Sequence, residues 1–215
     1  MTVSTMTSAV EAAEQAALTS YLLVPPARSR QVPCLEAALR NARVTMERGE
    51  TLWLATLGYL VVPEMLGKVV ARSPTRFCDR SGSKMSFVVG AREFAARAVS
   101  LADAEALYGL RCALAHEYGL RSARSSTRHI FGLTQQGPLV RHPVTPWQMI
   151  TDSEGCRAWP SPLADNQTWV NVLEVGRFVE ELVTNIRAEH AAGNVILAPG
   201  VDAMQLRNFG QFLVI

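Results

Sequence analysis

The stretch from Thr51 to Arg72 does most to limit how this chain can fold. It is strongly apolar, so a helix formed there has no wet face and belongs at the centre of a larger assembly of helices. Its longest apolar run, Leu52 to Val62, stops at Pro63-Glu64, short of the roughly 20 apolar residues a bilayer span requires. No membrane partner is therefore expected. Proline inside a helix removes one backbone donor and crowds the preceding turn, so the segment is expected to kink or break at Pro63.

The rest of the chain is able to cover such a helix. With 215 residues, 48% hydrophobic and 19% charged, the composition is that of an ordinary globular protein. One domain over 1–215 is the natural reading. A formal net charge of +2 imposes no nucleic-acid partner, so any phosphate-binding role must come from local clustering. Cys34, Cys78, Cys112 and Cys156 are widely spaced, with no paired motif and no histidine pair at zinc spacing; they read as free thiols. Met1 to Ser8 has neither the basic nor the apolar region of a secretory signal, and the Asn166-Gln167-Thr168 sequon reads as a coincidence of a polar loop. A cytoplasmic location is expected.

Helices are expected over Ala9–Leu23, capped by Thr7-Ser8, and from Pro33 to a stop at Gly49. Further helices are expected over Lys84–Ser100, after a loop at 73–83, and over Ala102–Tyr118, closed by Gly119. His129–Thr134 and Pro138–His142, joined by Gln135-Gln136-Gly137, read as a β-hairpin. Residues 143–167 read as irregular. Trp169–Ala192 returns to helical spacing through Val172, Val175, Val179, Leu182 and Ile186. The tail from Val195 has no clear pattern. The fold class that follows is mainly α: a helical bundle with a small β-hairpin insertion, the only regular β structure expected.

The helix Ala102–Tyr118 carries two stripes. Leu107, Leu110 and Leu114 form a core face. Gly109, Cys112, Ala113 and His116 form a second, mostly small, stripe, which predicts close approach of another helix from the same chain or from a second copy. Arg111 and Tyr118 lie almost on one line, whereas His116 sits about 140° from Arg111 around the axis. The side chains are therefore expected to converge only through their length, a loosened last turn, or pairing with a second copy, which favours a homodimer. Arg111 could also pair with Glu64 or another carboxylate as a buried structural bridge.

The segment Leu110-Arg111-Cys112-Ala113-Leu114-Ala115-His116-Glu117-Tyr118-Gly119 resembles the signature of HEPN domains, Arg-x4-His with a following x-Tyr. The resemblance is carried by this segment, with only helical context beyond it. It implies a HEPN-like helical bundle, usually dimeric. It also implies an RNA-binding or metal-independent RNA-cleaving activity of the toxin–antitoxin or phage-defence kind, in which an antitoxin protein would be a partner. Arg111 and His116 would be the catalytic residues, with Tyr118 as a phosphate- or base-binding residue, and no metal or cofactor is called for. One departure is Cys112, where active members commonly carry a polar residue after the arginine.

These residue types suit the chemistry. Histidine titrates near neutrality and can give or take a proton, while arginine holds phosphate through a fixed fork of donors. Arg121, Arg124 and Arg128 follow the motif with no intervening carboxylate, and Arg72, Arg76 and Arg80 form another basic series; Arg121 and Arg124 are the candidates for substrate contact. His129 and His142 complete no metal set and are expected to be surface or hydrogen-bonded. Phosphate loops, dinucleotide fingerprints, nucleophile elbows and His-Glu-x-x-His motifs are absent from the sequence, which argues against those enzyme classes. The other readings are a catalytically inactive HEPN-like dimerisation module and a nucleotide-binding protein.

Overall fold

The computed structural model describes residues 3–22, 31–49, 51–72, 83–116, 120–122, 129–145, 147, 150–151, 153–155, 157–158, 164–204, 206 and 211–213. Among these, six α-helices dominate: α1 (Val3–Leu22), α2 (Cys34–Arg48), α3 (Leu52–Val69), α4 (Ser83–Glu93), α5 (Leu101–His116) and α6 (Val172–Ala191). The mainly α expectation holds, with shifted boundaries. α1 starts at Val3, so Thr7-Ser8 lie inside it rather than capping it. α4 ends at Glu93, well before Ser100. Ser100 instead caps α5, its Oγ accepting from Asp103 N at 3.0 Å. α2 starts after Pro33 and ends on Gly49, whose φ of 69° is the left-handed conformation glycine adopts without strain.

α3 is central, packed against α2, α4, α5 and α6. It runs through Pro63 as one helix, so the chain does not break there. It is thus one helix long and apolar enough to cross a membrane, but half of it is buried among its neighbours. The reason it survives Pro63 is visible in its crossing with α4. A Cβ on Gly90 would overlap the Pro63 carbonyl oxygen, and one on Gly67 would overlap that of Ser86. Two backbones in contact gain dispersion along the crossing, which offsets part of the cost of the helical hydrogen bond that Pro63 cannot make. Leu60 and Leu66 from α3, Phe87 from α4 with Phe94 just after it, Leu107 and Leu110 from α5, and Phe178 and Leu182 from α6 close the core.

The β structure needs the largest correction. β1 (Gln31–Pro33) pairs with β10 (Gln211–Leu213), β2 (Val70–Ala71) with β9 (Ile196–Leu197), and β6 (Ile150–Thr151) with β7 (Arg157–Ala158), all antiparallel. Regular β structure is therefore not confined to 129–142, and 143–167 is not wholly irregular. The main sheet has four strands in the order β3 (Arg121–Ser122), β4 (His129–Thr134), β8 (Thr168–Asn171), β5 (Val140–Arg141). The expected hairpin does not form: β8 lies between its two arms, parallel to β4 and antiparallel to β5. Trp169 therefore sits in a strand, not a helix. Asn171 divides the two elements, its side chain accepting from Leu173 N and Glu174 N to cap α6. The five valine, leucine and isoleucine positions of the α6 pattern are all buried.

Candidate functional site

The motif arginine sits on α5, one turn before the helix ends, and is held from α3. Arg111 Nη2 lies 2.9 Å from Glu64 Oε2, the structural bridge foreseen from the sequence. Glu64 is 7% exposed, which a carboxylate tolerates only with cations beside it. Lys68, one turn further along α3, supplies the second, with Nζ 2.6 Å from Glu64 Oε1.

Arg111 also reaches His116 within the same chain: Nη1 and Nε2 are 3.1 Å apart. The angular gap on an ideal helix is closed by the length of the arginine side chain and by the position of His116 as the last residue of α5. Convergence therefore does not require a second copy. Guanidinium nitrogens only donate, so in this contact His116 Nε2 is the acceptor. The arginine is 18% exposed, and its Nε is buried without a hydrogen-bond partner.

Tyr108, three residues before Arg111, tilts its ring against Phe87 with centroids 5.7 Å apart. Burial, with the Cys112 thiol beside it, pushes its hydroxyl up to about 12. Sequence reasoning passed over Tyr108 and Lys68, although each stands one helical turn from a residue it singled out, Cys112 and Glu64.

At Gly109 the small-residue stripe is covered differently from expectation. Above Gly109 lie rings rather than a helix backbone: a Cβ there would meet Phe131 Cζ at 3.3 Å and His129 Cδ2 at 3.5 Å. Cys112 and Ala113 are buried within the chain, so this stripe is not an open surface for a second copy. His129 is buried and hydrogen-bonded, with Nδ1 2.9 Å from Thr168 Oγ1 and its ring stacked on Phe131. Burial, with a smaller contribution from His142, holds its imidazole down at about 4. His142 pairs with Asp103 at 2.7 Å.

The remaining predicted residues divide. Arg121 is exposed on β3, its guanidinium 5.9 Å from the centroid of the Trp147 ring. Tyr118, Arg124 and Arg128 lie outside the described residues, as do Arg76 and Arg80. Arg72 is paired with Glu189 at 3.0 Å. Among the described residues no three His, Cys, Asp or Glu side chains gather into a metal-binding group. No protein-family model, curated protein or solved structure matches the chain.

Proposed function

We propose that this chain is a HEPN-like protein that binds RNA and cleaves it without a metal ion through Arg111 and His116. The observation that carries the reading is the 3.1 Å contact between these two side chains at the end of α5, with Arg111 anchored from behind by Glu64. A guanidinium fixed in this way offers a phosphate its remaining donors with little loss of side-chain freedom.

The contact also suggests an order of events. An arriving phosphate oxygen competes for Arg111 Nη1 and releases the lone pair of His116 Nε2. His116 then takes the proton of the ribose 2′-hydroxyl, whose oxygen attacks the adjacent phosphorus while the bond to the 5′-oxygen breaks. The 5′-oxygen takes a proton from the protonated His116 of a second copy, and the product ends in a 2′,3′-cyclic phosphate. Thiols at Cys34 and Cys112 suit a reducing, cytoplasmic setting.

Incubation of RNA in the presence of a chelator tests the reading. Cyclic-phosphate ends are expected, single-stranded DNA should survive, and His116→Ala should slow cleavage about 100-fold or more. Intact RNA with a folded protein rejects it. A second reading, a catalytically inactive module, is favoured by the same Glu64 bridge, because a carboxylate beside Arg111 already neutralises the charge a phosphate would seek. Under that reading Arg111→Ala changes stability and leaves RNA untouched.

A further inference from the structure

The outer face of the four-stranded sheet carries an arrangement that the Arg111–His116 pair does not use. Register places Arg121 opposite Ile130, Gly132 opposite Trp169, and Trp169 opposite Arg141. Residues directly opposite one another point to the same side of a sheet, so these five share one face. The other face, with Phe131 and Val170, is the one built into the core. Trp169 lies flat over Gly132: a Cβ there would stand 2.5 Å from ring atom Cε3 and 2.7 Å from Cζ3. Only glycine leaves room for the indole in that position. Arg141, exposed on the edge strand, holds its guanidinium over the ring, 5.6 Å from its centroid, a contact that an incoming base would take over.

Beside the ring opens a cleft of ≈ 330 Å³ lined by Thr134, Gln136, Gly137, Pro138, Arg141 and Trp169. Its rim is pinned from within. Asn171 Nδ2 donates to the Gly137 carbonyl at 2.8 Å, and Gln136 N donates to Thr134 Oγ1 at 3.1 Å. The Gln136 side chain is exposed. The cleft thus combines an aromatic face, a carboxamide able to donate and accept, and a fixed positive charge. Its lining includes no carboxylate. Its size is at the lower end of the roughly 300–1,000 Å³ usual for ligand pockets, suited to one planar ring and its substituents.

We infer that this cleft is a binding site for one unpaired nucleotide of single-stranded RNA, its base stacked on Trp169 and its phosphate held by Arg141. The inference deepens the reading of Arg111 and His116 as an RNA site by naming a separate place where the strand is held. Base–aromatic stacking tolerates any base, and arginine beside the platform can add both charge and stacking. A proline-rich peptide could also lie on a tryptophan, but it has no use for the guanidinium.

Binding of labelled 2′-O-methyl oligoadenylate, which cannot be cut through the 2′-oxygen, separates this site from catalysis. The full chain should bind it. Trp169→Ala should weaken binding about 5- to 150-fold. Gly132→Ala should weaken it in the same direction by lifting the ring, and Trp169→Phe should retain most of the affinity. Arg141→Ala should lower the dependence on salt by about one counterion. An abasic oligomer should lose the sensitivity to Trp169→Ala. Circular dichroism and thermal midpoints check that each variant is folded. Wild-type affinity in folded Trp169→Ala and Gly132→Ala overturns the inference, even if RNA is cleaved through His116. Trp169-dependent binding together with uncut RNA supports it and removes only the catalytic reading. Trp169-dependent binding of a proline-rich peptide in place of the oligomer also overturns it.

Discussion

Glu36 and Glu64 are both carboxylates buried in helices of the same bundle, and both face arginines, yet their surroundings end differently. Glu36 takes Arg187 at 2.9 Å, Arg40 at 3.2 Å and Arg43 at 3.4 Å. The partners are themselves engaged. Arg187 Nε donates to the Leu22 carbonyl at 2.6 Å, and Arg43 grips both oxygens of Glu180 at 2.6 and 2.7 Å. Burial pushes the Glu36 carboxyl up, but the hydrogen bond and charge of Arg187, with Arg40 and Arg43, more than offset it and hold the group below its ordinary value. Around Glu64, by contrast, Arg111 keeps a buried Nε without a partner and turns another edge toward a histidine at the end of its helix. The comparison teaches that a buried ion pair by itself says little about function. The Glu36 network ties α2 to α6, with Arg43 and Arg187 each holding a further partner, whereas the Glu64 network leaves one buried donor of Arg111 unused and ends on an exposed histidine.

The contrast can be broken at four points. Removing Glu36 should be the most damaging. Glu36→Leu leaves Arg187 facing a buried apolar group, and such a break typically costs about 3–5 kcal/mol. Urea denaturation measures it, and a loss under about 1 kcal/mol would show that the network is not structural.

The next effect comes from His129, whose Nε2 is another buried atom without a partner. Its folded value of about 4 lies below that of a free imidazole, about 6.5. As pH falls the unfolded chain takes the proton first. The stability contribution is therefore whole above pH 6.5 and is lost as pH drops toward 4, by an amount of the order of 3 kcal/mol. Thermal midpoints against pH should show this slope, and His129→Gln should flatten most of it. Burial lowers His190 in the same direction and leaves a residual slope.

Arg111→Ala should cost less than the Glu36 change, about 1–3 kcal/mol, because Glu64 keeps Lys68. Arg111→Lys should restore part of that stability without supporting the proposed RNA cleavage, since an ammonium lacks the fork that spans carboxylate and phosphate together. Equal cleavage by the lysine variant would place the two networks in the same structural class. Smallest of all is Lys68→Met. The amine is half in water, and exposed pairs contribute less than about 1 kcal/mol. A larger loss would mean that Lys68, not Arg111, is the principal counter-ion of Glu64.

Much of the helical frame was legible in the residues. The apolar spacing of α6, the Pro33 and Gly49 boundaries of α2 and the long α5 all follow from local signals that packing reinforces. The candidate pair and its Glu64 partner could also be named from the sequence. Their contact could not, because an ideal helical wheel fixes where Cα atoms point and not how far a guanidinium reaches. The sheet was misread for a related reason. Turn chemistry at Gln135-Gln136-Gly137 suggested pairing between adjacent strands, while the strand that fills the gap arrives from Thr168–Asn171, beyond a long intervening segment. Asn171, a common N-cap residue, was the local signal that could have separated strand from helix at Trp169.

By itself the sequence determined the helix-forming segments, the apolar faces that must be covered and the residue types able to act on a phosphate. These depend on interactions between residues a few positions apart. Tertiary structure alone decided that Gly67 meets α4, that the Gly109 stripe is capped by His129 and Phe131, and that Trp169 rests on Gly132 beside Arg141. Those contacts join distant parts of the chain. Each is selected by how well two shapes close against water, which no local pattern encodes.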